Sequence, residues 1–302
     1  MEDYLFMVIA GTLAGTLSRV MLLRIDYRQY PGYPHGMIAH ISLGFIASAI
    51  GAVSVPAILK PDFAAVTFLA LAAQQFREIR GIERKTLDNL DQTELVRRGN
   101  DYIEGIARTF EARNYLVMIT SLLVTVAYYW GKIPAAVIMA VLLITFSRTF
   151  MSGETIGDIC EVVPAKLHFS GNLLKVDEID VMNVGLREMK DKILEEGLAV
   201  RIIPKGLNAA AILHDMGQRM AIAHTAATIL GVKKDIDTPE FTPLARKNID
   251  TGEVGLYILP FINDMEALIL AVKRTPVLES ARSKPLSTEA GRIAAIKNGK
   301  NG

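Results

Sequence analysis

The chain has 302 residues, 51% of them hydrophobic, a net charge of +1 and one cysteine, Cys160. That length allows two domains. The near-neutral charge gives no global field for nucleic acid, and a lone thiol excludes an internal disulfide framework, so Cys160 reads as a plain structural cysteine.

The apolar residues are unevenly spread. Almost all long apolar runs fall within residues 1–150, and residues 160–302 have the composition of a soluble domain. A membrane span needs about 20 apolar residues to cross roughly 30 Å of hydrocarbon. Residues 4–23, "YLFMVIAGTLAGTLSRVMLL", meet that length, with Arg19 near one end where it can snorkel to the interface. The preceding "MED" is acidic, unlike the basic start of a secretory signal, so this span is expected to stay as an anchor. Residues 37–59 form a second span, and the short run 63–76 a third. Residues 115–130 and 133–150 form a hairpin turned at Gly131-Lys132.

Five spans place Arg24, Arg28, the eight basic residues of 77–114 and the C-terminal domain on one side, leaving Lys60 and Lys132 on the other. By the positive-inside rule the richer side is the cytosol. Gly11 and Gly15, and Gly44, Ser48 and Gly51, make small-residue faces that let helices approach closely. This supports bundle packing and leaves a homo-oligomer open. Ionisable groups within the spans are few, chiefly His40 and the end-on Arg148, which disfavours a transporter.

Residues 77–114 are charged. Within them Ile103, Ile106, Ala107 and Phe110 recur at helical spacing, and Glu104 and Arg108 are four apart in the favourable order for an ion pair. The segment reads as an amphipathic helix running into the span at 115. It serves as a connector or as a docking surface for another membrane protein, with Tyr102, Glu104, Arg108 and Arg113 as its binding residues.

The rest has α+β rhythm. A hairpin spans 165–182, turned at Gly171-Asn172. A helix ends at Gly197, a strand covers 198–204, and a long helix covers 208–232 with Gly217 and Gln218 as an interruption. A strand follows at 251–261, then a helix capped by Asn263 or Asp264. The expectation is about four strands and three helices, with the helices on one face of a small sheet over 160–278, and a loose tail over 279–302.

"DYIEGIA" at 101–107 resembles the eponymous motif of the YIEGIA-domain proteins of endospore-forming bacteria. "RIDYRQYP" at 24–31, "TFLALAAQQFREIR" at 67–80, "FEARNYL" at 110–116 and "GQRMAIAH" at 217–224 resemble segments of the same family. The resemblance implies a polytopic membrane protein linked to sporulation or germination, set in the cytoplasmic or inner spore membrane. It supplies no catalytic residues.

The chemistry must therefore be read from the chain. No P-loop and no G-x-G-x-x-G appear, so no nucleotide cofactor is implied. His214 and His224, ten apart on one predicted helix, are too distant to share a metal ion. "GETIGDIC" at 153–160 resembles the G-x-G-D motif of intramembrane aspartyl proteases, with Thr155 breaking the pattern. A dyad needs a second carboxylate at the same depth, and Asp26 follows the first span on the same predicted side as Asp158. Two readings result: a non-enzymatic regulator of a membrane complex, or an aspartyl-type protease using Asp26 and Asp158 on a membrane-protein substrate.

Overall fold

The computed structural model describes residues 2–26, 34–60, 63–150, 153–235 and 237–282. Arg28, Asp62 and the tail from 283 lie outside them. The chain divides into two compact units. One comprises Met1–Arg84 and Ile106–Ser152, the other Lys85–Gly105 and Gly153–Gly302.

The first unit is helical. It contains α1 (Glu2–Asp26), α2 (Pro34–Leu59), most of α3 (Phe63–Asp91) and most of α4 (Asn100–Phe150). Among the described residues, three helical segments are long and apolar enough to cross a membrane: Asp3–Leu23, Gly36–Leu59 and Asn100–Thr149. The last is broken where expected. Gly131 and Lys132 leave helical geometry, Lys132 at φ 55°, and Pro134 sits in the first turn of the resumed helix. Residues 63–76, expected as a short span, form the first half of the 29-residue α3. The charges of its second half, beginning at Arg77, keep α3 out of the set of candidate spans.

Small residues form the packing faces. A Cβ added to Gly11 would fall 1.9 Å from Thr125 Oγ1, and one on Gly51 would fall 2.3 Å from the Met118 carbonyl oxygen. Only glycine permits these backbones to come so close. Ser48 Oγ donates to the Thr12 carbonyl at 2.7 Å, and Ser121 Oγ donates to the Ser48 carbonyl at 2.6 Å, so α1, α2 and α4 are also tied by hydrogen bonds. Large apolar side chains such as Leu5, Leu13, Ile38, Phe45, Ile138 and Leu142 are left exposed.

The second unit is α+β, with seven strands among the described residues rather than four. After a single turn, α5 (Ile156–Ile159), come β1 (Cys160–Pro164), β2 (Leu167–Ser170), β3 (Leu173–Val176) and β4 (Ile179–Asn183). They are followed by α6 (Arg187–Glu196), β5 (Leu198–Pro204), α7 (Leu207–His214), α8 (Met216–Leu230), β6 (Leu244–Lys247), β7 (Val254–Ile258), α9 (Met265–Arg274) and α10 (Glu279–Arg282). The expected hairpin is a three-stranded meander, β2-β3-β4, because Asp177, at φ 49°, makes a second turn. The larger sheet has the order β1-β5-β7-β6, antiparallel throughout.

The central β7, "VGLYI", is buried at every position, as a strand covered on both faces must be. Residues of the small sheet cover one face, where Leu174, Val176 and Val181 cluster with Ala199 and Tyr257. The helices α7, α8 and α9 pack on the larger sheet. The expectation of helices against a small sheet therefore holds for one face, and a second sheet occupies the other.

Candidate functional site

The expected helix over 208–232 is two helices. The break is at Asp215, not at Gly217 and Gln218. Asp215 is extended, at φ −64° and ψ 127°, and its Oδ1 accepts from the Gln218 backbone N–H at 2.9 Å, which caps α8. His214 and His224 thus sit on different helices.

This restart sets the "GQRMAIAH" stretch against residues 100–105, the part of the "DYIEGIA" helix that belongs to the second unit. A Cβ on Gly217 would lie 2.8 Å from the Asp101 carbonyl oxygen, so the start of α8 rests directly on the backbone of α4. Gly99, at φ +81°, immediately precedes α4, with Met220 packed where a Cβ would stand. Tyr102 is buried and meets the His224 ring edge-on, with centroids 6.4 Å apart. Gln218 is fully buried and clamps the segment beyond α9. Its Nε2 donates to the Pro276 carbonyl at 3.1 Å and its Oε1 accepts from the Leu278 N–H at 2.7 Å. Ser280 packs against Gly105, its Oγ 2.6 Å from where a Cβ would stand.

The loop ahead of α4 is held by charge. Asp91 accepts from the backbone N–H groups of Arg98 at 2.6 Å and Gly99 at 3.2 Å, and Arg98 Nη1 donates to Glu94 Oε1 at 2.5 Å. His224 Nδ1 lies 3.1 Å from the Val96 carbonyl and its Nε2 3.7 Å from Glu94. Burial, followed by the charge of Arg98, holds the His224 pKa below its ordinary value, so the ring is neutral at pH 7. Glu94, Val96, Arg98 and His224 line an open groove of about 500 Å³, whose other walls include Leu95, Gly231 and the exposed Phe261.

The first unit contains a second polar cluster. Arg19 is fully buried rather than snorkelling. Its Nη1 donates to Asp26 Oδ2 at 2.5 Å, its Nη2 lies 3.3 Å from His40 Nδ1, and its guanidinium sits 5.6 Å from the Phe110 ring centre. Arg113, also buried, donates from Nε to the other oxygen of Asp26 at 3.0 Å. Glu83 approaches His40 at 3.9 Å. Burial raises the Glu83 carboxyl to about 7, against the opposing effect of Arg19. Arg19, His40 and Glu83 were not in the sequence-derived set.

Of the expected binding residues, Tyr102 and Arg113 serve the interior. Glu104 is half-buried, and Arg108 is exposed. The stripe Ile103, Ile106, Ala107 and Phe110 is buried within the chain. The two proposed catalytic aspartates have separate engagements. Asp26 is clasped by Arg19 and Arg113. Asp158 is exposed and accepts from the Thr155 backbone N–H at 2.7 Å and hydroxyl at 2.9 Å. Those hydrogen bonds hold its carboxyl below the usual range, so it does not keep a proton at neutral pH. Cys160 is buried at the start of β1, and burial pushes its thiol up to about 11, leaving it protonated and unreactive.

The YIEGIA protein family model matches residues 7–288, which takes in both motifs of the junction. The chain belongs to the YIEGIA family. It is 45% identical over 285 residues to the "Uncharacterized protein YphB" of Bacillus subtilis (strain 168), covering 94% of this chain and 96% of that relative. No solved structure matches. In this YIEGIA chain the eponymous residues build a packed junction, and the groove opens beside it.

Proposed function

We propose that this protein is a five-span integral membrane protein of endospore formers that regulates a membrane complex in sporulation or germination without catalysing a reaction. Its α+β unit faces the cytosol. The spans are 4–23, 37–59, 63–76, 115–130 and 133–150, with the exposed aliphatic faces of the helices against lipid. The charged residues of 77–114 lie on the cytosolic side, as the positive-inside rule requires.

The observation that carries this reading is the employment of the candidate acids. An aspartyl dyad needs two carboxyls that share a proton. Asp26 is instead neutralised by two arginines, and Asp158 is an ionised, exposed helix cap. The family motifs are used to hold the α+β unit together and to shape an open groove, which suits recognition. The partner docks at this groove.

The test is Asp158→Asn in a chain expressed in place of the Bacillus subtilis relative. A regulator keeps normal sporulation and germination, because an exposed cap contributes about 1 kcal/mol or less. A protease loses all function with the protein still present in the membrane.

A further inference from the structure

Asp26 and its arginines lie at the end of α1. The start of α1, within the same helical unit, carries a recess that none of the family motifs lines. Here α1 begins, α2 ends and α4 bends. Lys132 Nζ lies 3.3 Å from Asp3 Oδ2, and the Nζ of Lys60, just past α2, lies 5.0 Å from the Tyr4 ring centre. A cavity of about 220 Å³ is lined by Asp3, Tyr4, Met7, Tyr128, Tyr129 and Lys132. Met7 and Tyr128 are buried and belong to the apolar core of the helices, with Tyr4 packed against it. Asp3 and Lys132 are exposed. The recess thus has a packed apolar floor and a charged rim.

Lys132 stands at φ 55° and ψ −151°, a conformation that a residue with a side chain keeps only where its surroundings hold it. Its ammonium is held at the recess by Asp3 and by the face of Tyr128, 5.9 Å from the ring centre. Both ions of the pair are exposed, so the pair is weak and exchangeable. Two of the tyrosines already have an ammonium over their faces, Lys60 at Tyr4 and Lys132 at Tyr128, which is the contact that a ligand cation would make. The lining charges cancel, one acid against one base. A ligand with a single charge would pair with one of them and repel the other, whereas a ligand with both charges pairs with both. The volume lies below the roughly 300–1,000 Å³ of sites for drug-sized ligands, so the ligand is small.

We propose that this recess binds a small zwitterion, with its oxyanion on Lys132 and its ammonium on Asp3 and the tyrosine faces. An ammonium and an oxyanion on a short linker occur in a free amino acid and in the headgroup of phosphatidylethanolamine. Trp130, beside Tyr129 and largely exposed, belongs to the residue type that sits at headgroup depth, which admits the second source. The site lies in the other unit from the groove of the regulator reading and stands or falls on its own test.

That test is calorimetric titration of the full chain in dodecyl maltoside micelles at constant ionic strength. One arm uses L-valine with its single-charge counterparts, isobutylamine and isobutyrate. The other uses dihexanoyl phosphatidylethanolamine with dihexanoyl phosphatidic acid, which lacks the ammonium. The zwitterion of at least one arm binds, and its single-charge counterparts bind about tenfold or more weaker, the loss of one charge-assisted contact. Asp3→Asn and Lys132→Gln each weaken the zwitterion to a similar degree. Asp180→Asn, which breaks a comparable exposed pair with Lys175 in the α+β unit, leaves binding unchanged. Tighter binding of the phosphatidylethanolamine assigns the site to a lipid headgroup, and equal or tighter binding of valine assigns it to a free amino acid. If one of the two variants does not fold, the other decides. The proposal is overturned if neither zwitterion binds, if a single-charge counterpart binds as tightly as its zwitterion, or if Asp180→Asn weakens binding as much as Asp3→Asn does.

Discussion

The Asp26 cluster of the helical unit and the Gln218 clamp of the α+β unit satisfy buried polar groups in different ways. The helical unit buries ions: Arg19 and Arg113 enclose Asp26, with His40 and Glu83 alongside. The α+β unit buries a neutral amide, Gln218, and brings backbones together over Gly217 and Gly99. Away from water an unpaired charge costs several kcal/mol, whereas an unpaired amide costs about 1–3 kcal/mol. The Asp26 cluster of the helical unit therefore depends on charge balance and the Gln218 clamp of the α+β unit on hydrogen bonding, and substitutions should separate the two.

The largest effect is expected at Asp26. Asp26→Ala leaves two buried arginines without their shared carboxylate and should cost about 3–5 kcal/mol. It would appear as a large fall in the unfolding midpoint of the helical unit in detergent. Replacing Arg19, Asp26 and Arg113 together by apolar residues of similar size should recover most of the loss, because no charge is then stranded.

Gln218→Ala comes next. It leaves the Leu278 N–H and the Pro276 carbonyl without their partner, and should cost about 2–3 kcal/mol, towards the low end of the roughly 1–3 kcal/mol for each of the two groups. The loss should fall on the α+β unit, read from amide exchange around 275–282, and leave the helical unit unchanged.

A smaller effect, again confined to the helical unit, concerns pH. The folded chain holds the Glu83 proton up to about pH 7, whereas the unfolded chain releases it near the ordinary value of 4.5. Between these values the folded state binds more protons, so stability is greatest at the acid end of the window and falls as the pH rises towards 7. Thermal midpoints measured across this range should show the fall, and Glu83→Gln should flatten it.

Much of this organisation is readable in the sequence, and the failures share a cause. The long apolar runs, the break at Gly131-Lys132 and the small-residue faces are local signals, and the structure places them as expected. Asp264 was among the two expected caps, and its carboxylate accepts from the Ala267 N–H at 3.0 Å. Arg19 was misread because its environment depends on Arg113, which reaches Asp26 from 87 positions away. No local pattern distinguishes a snorkelling arginine from a buried pair. The strands β1 and β6 were missed because "CEVVP" and "LARK" are short and lack strict alternation, and because long-range pairing makes them strands. The break at Asp215 did carry a signal. An aspartate followed three residues later by glutamine has capping-box spacing, and the apolar periodicity on either side obscured it.

The central claim is that the "DYIEGIA" and "GQRMAIAH" stretches form one junction, with Tyr102 on His224 at its middle. A double-mutant cycle of Tyr102→Leu and His224→Leu, followed by unfolding of the full chain in detergent, tests it most directly. Residues in contact are expected to couple by about 0.5 kcal/mol or more, so the double variant should lose less than the sum of the single losses. Additivity within about 0.3 kcal/mol would mean that the two stretches act separately, and would contradict the account.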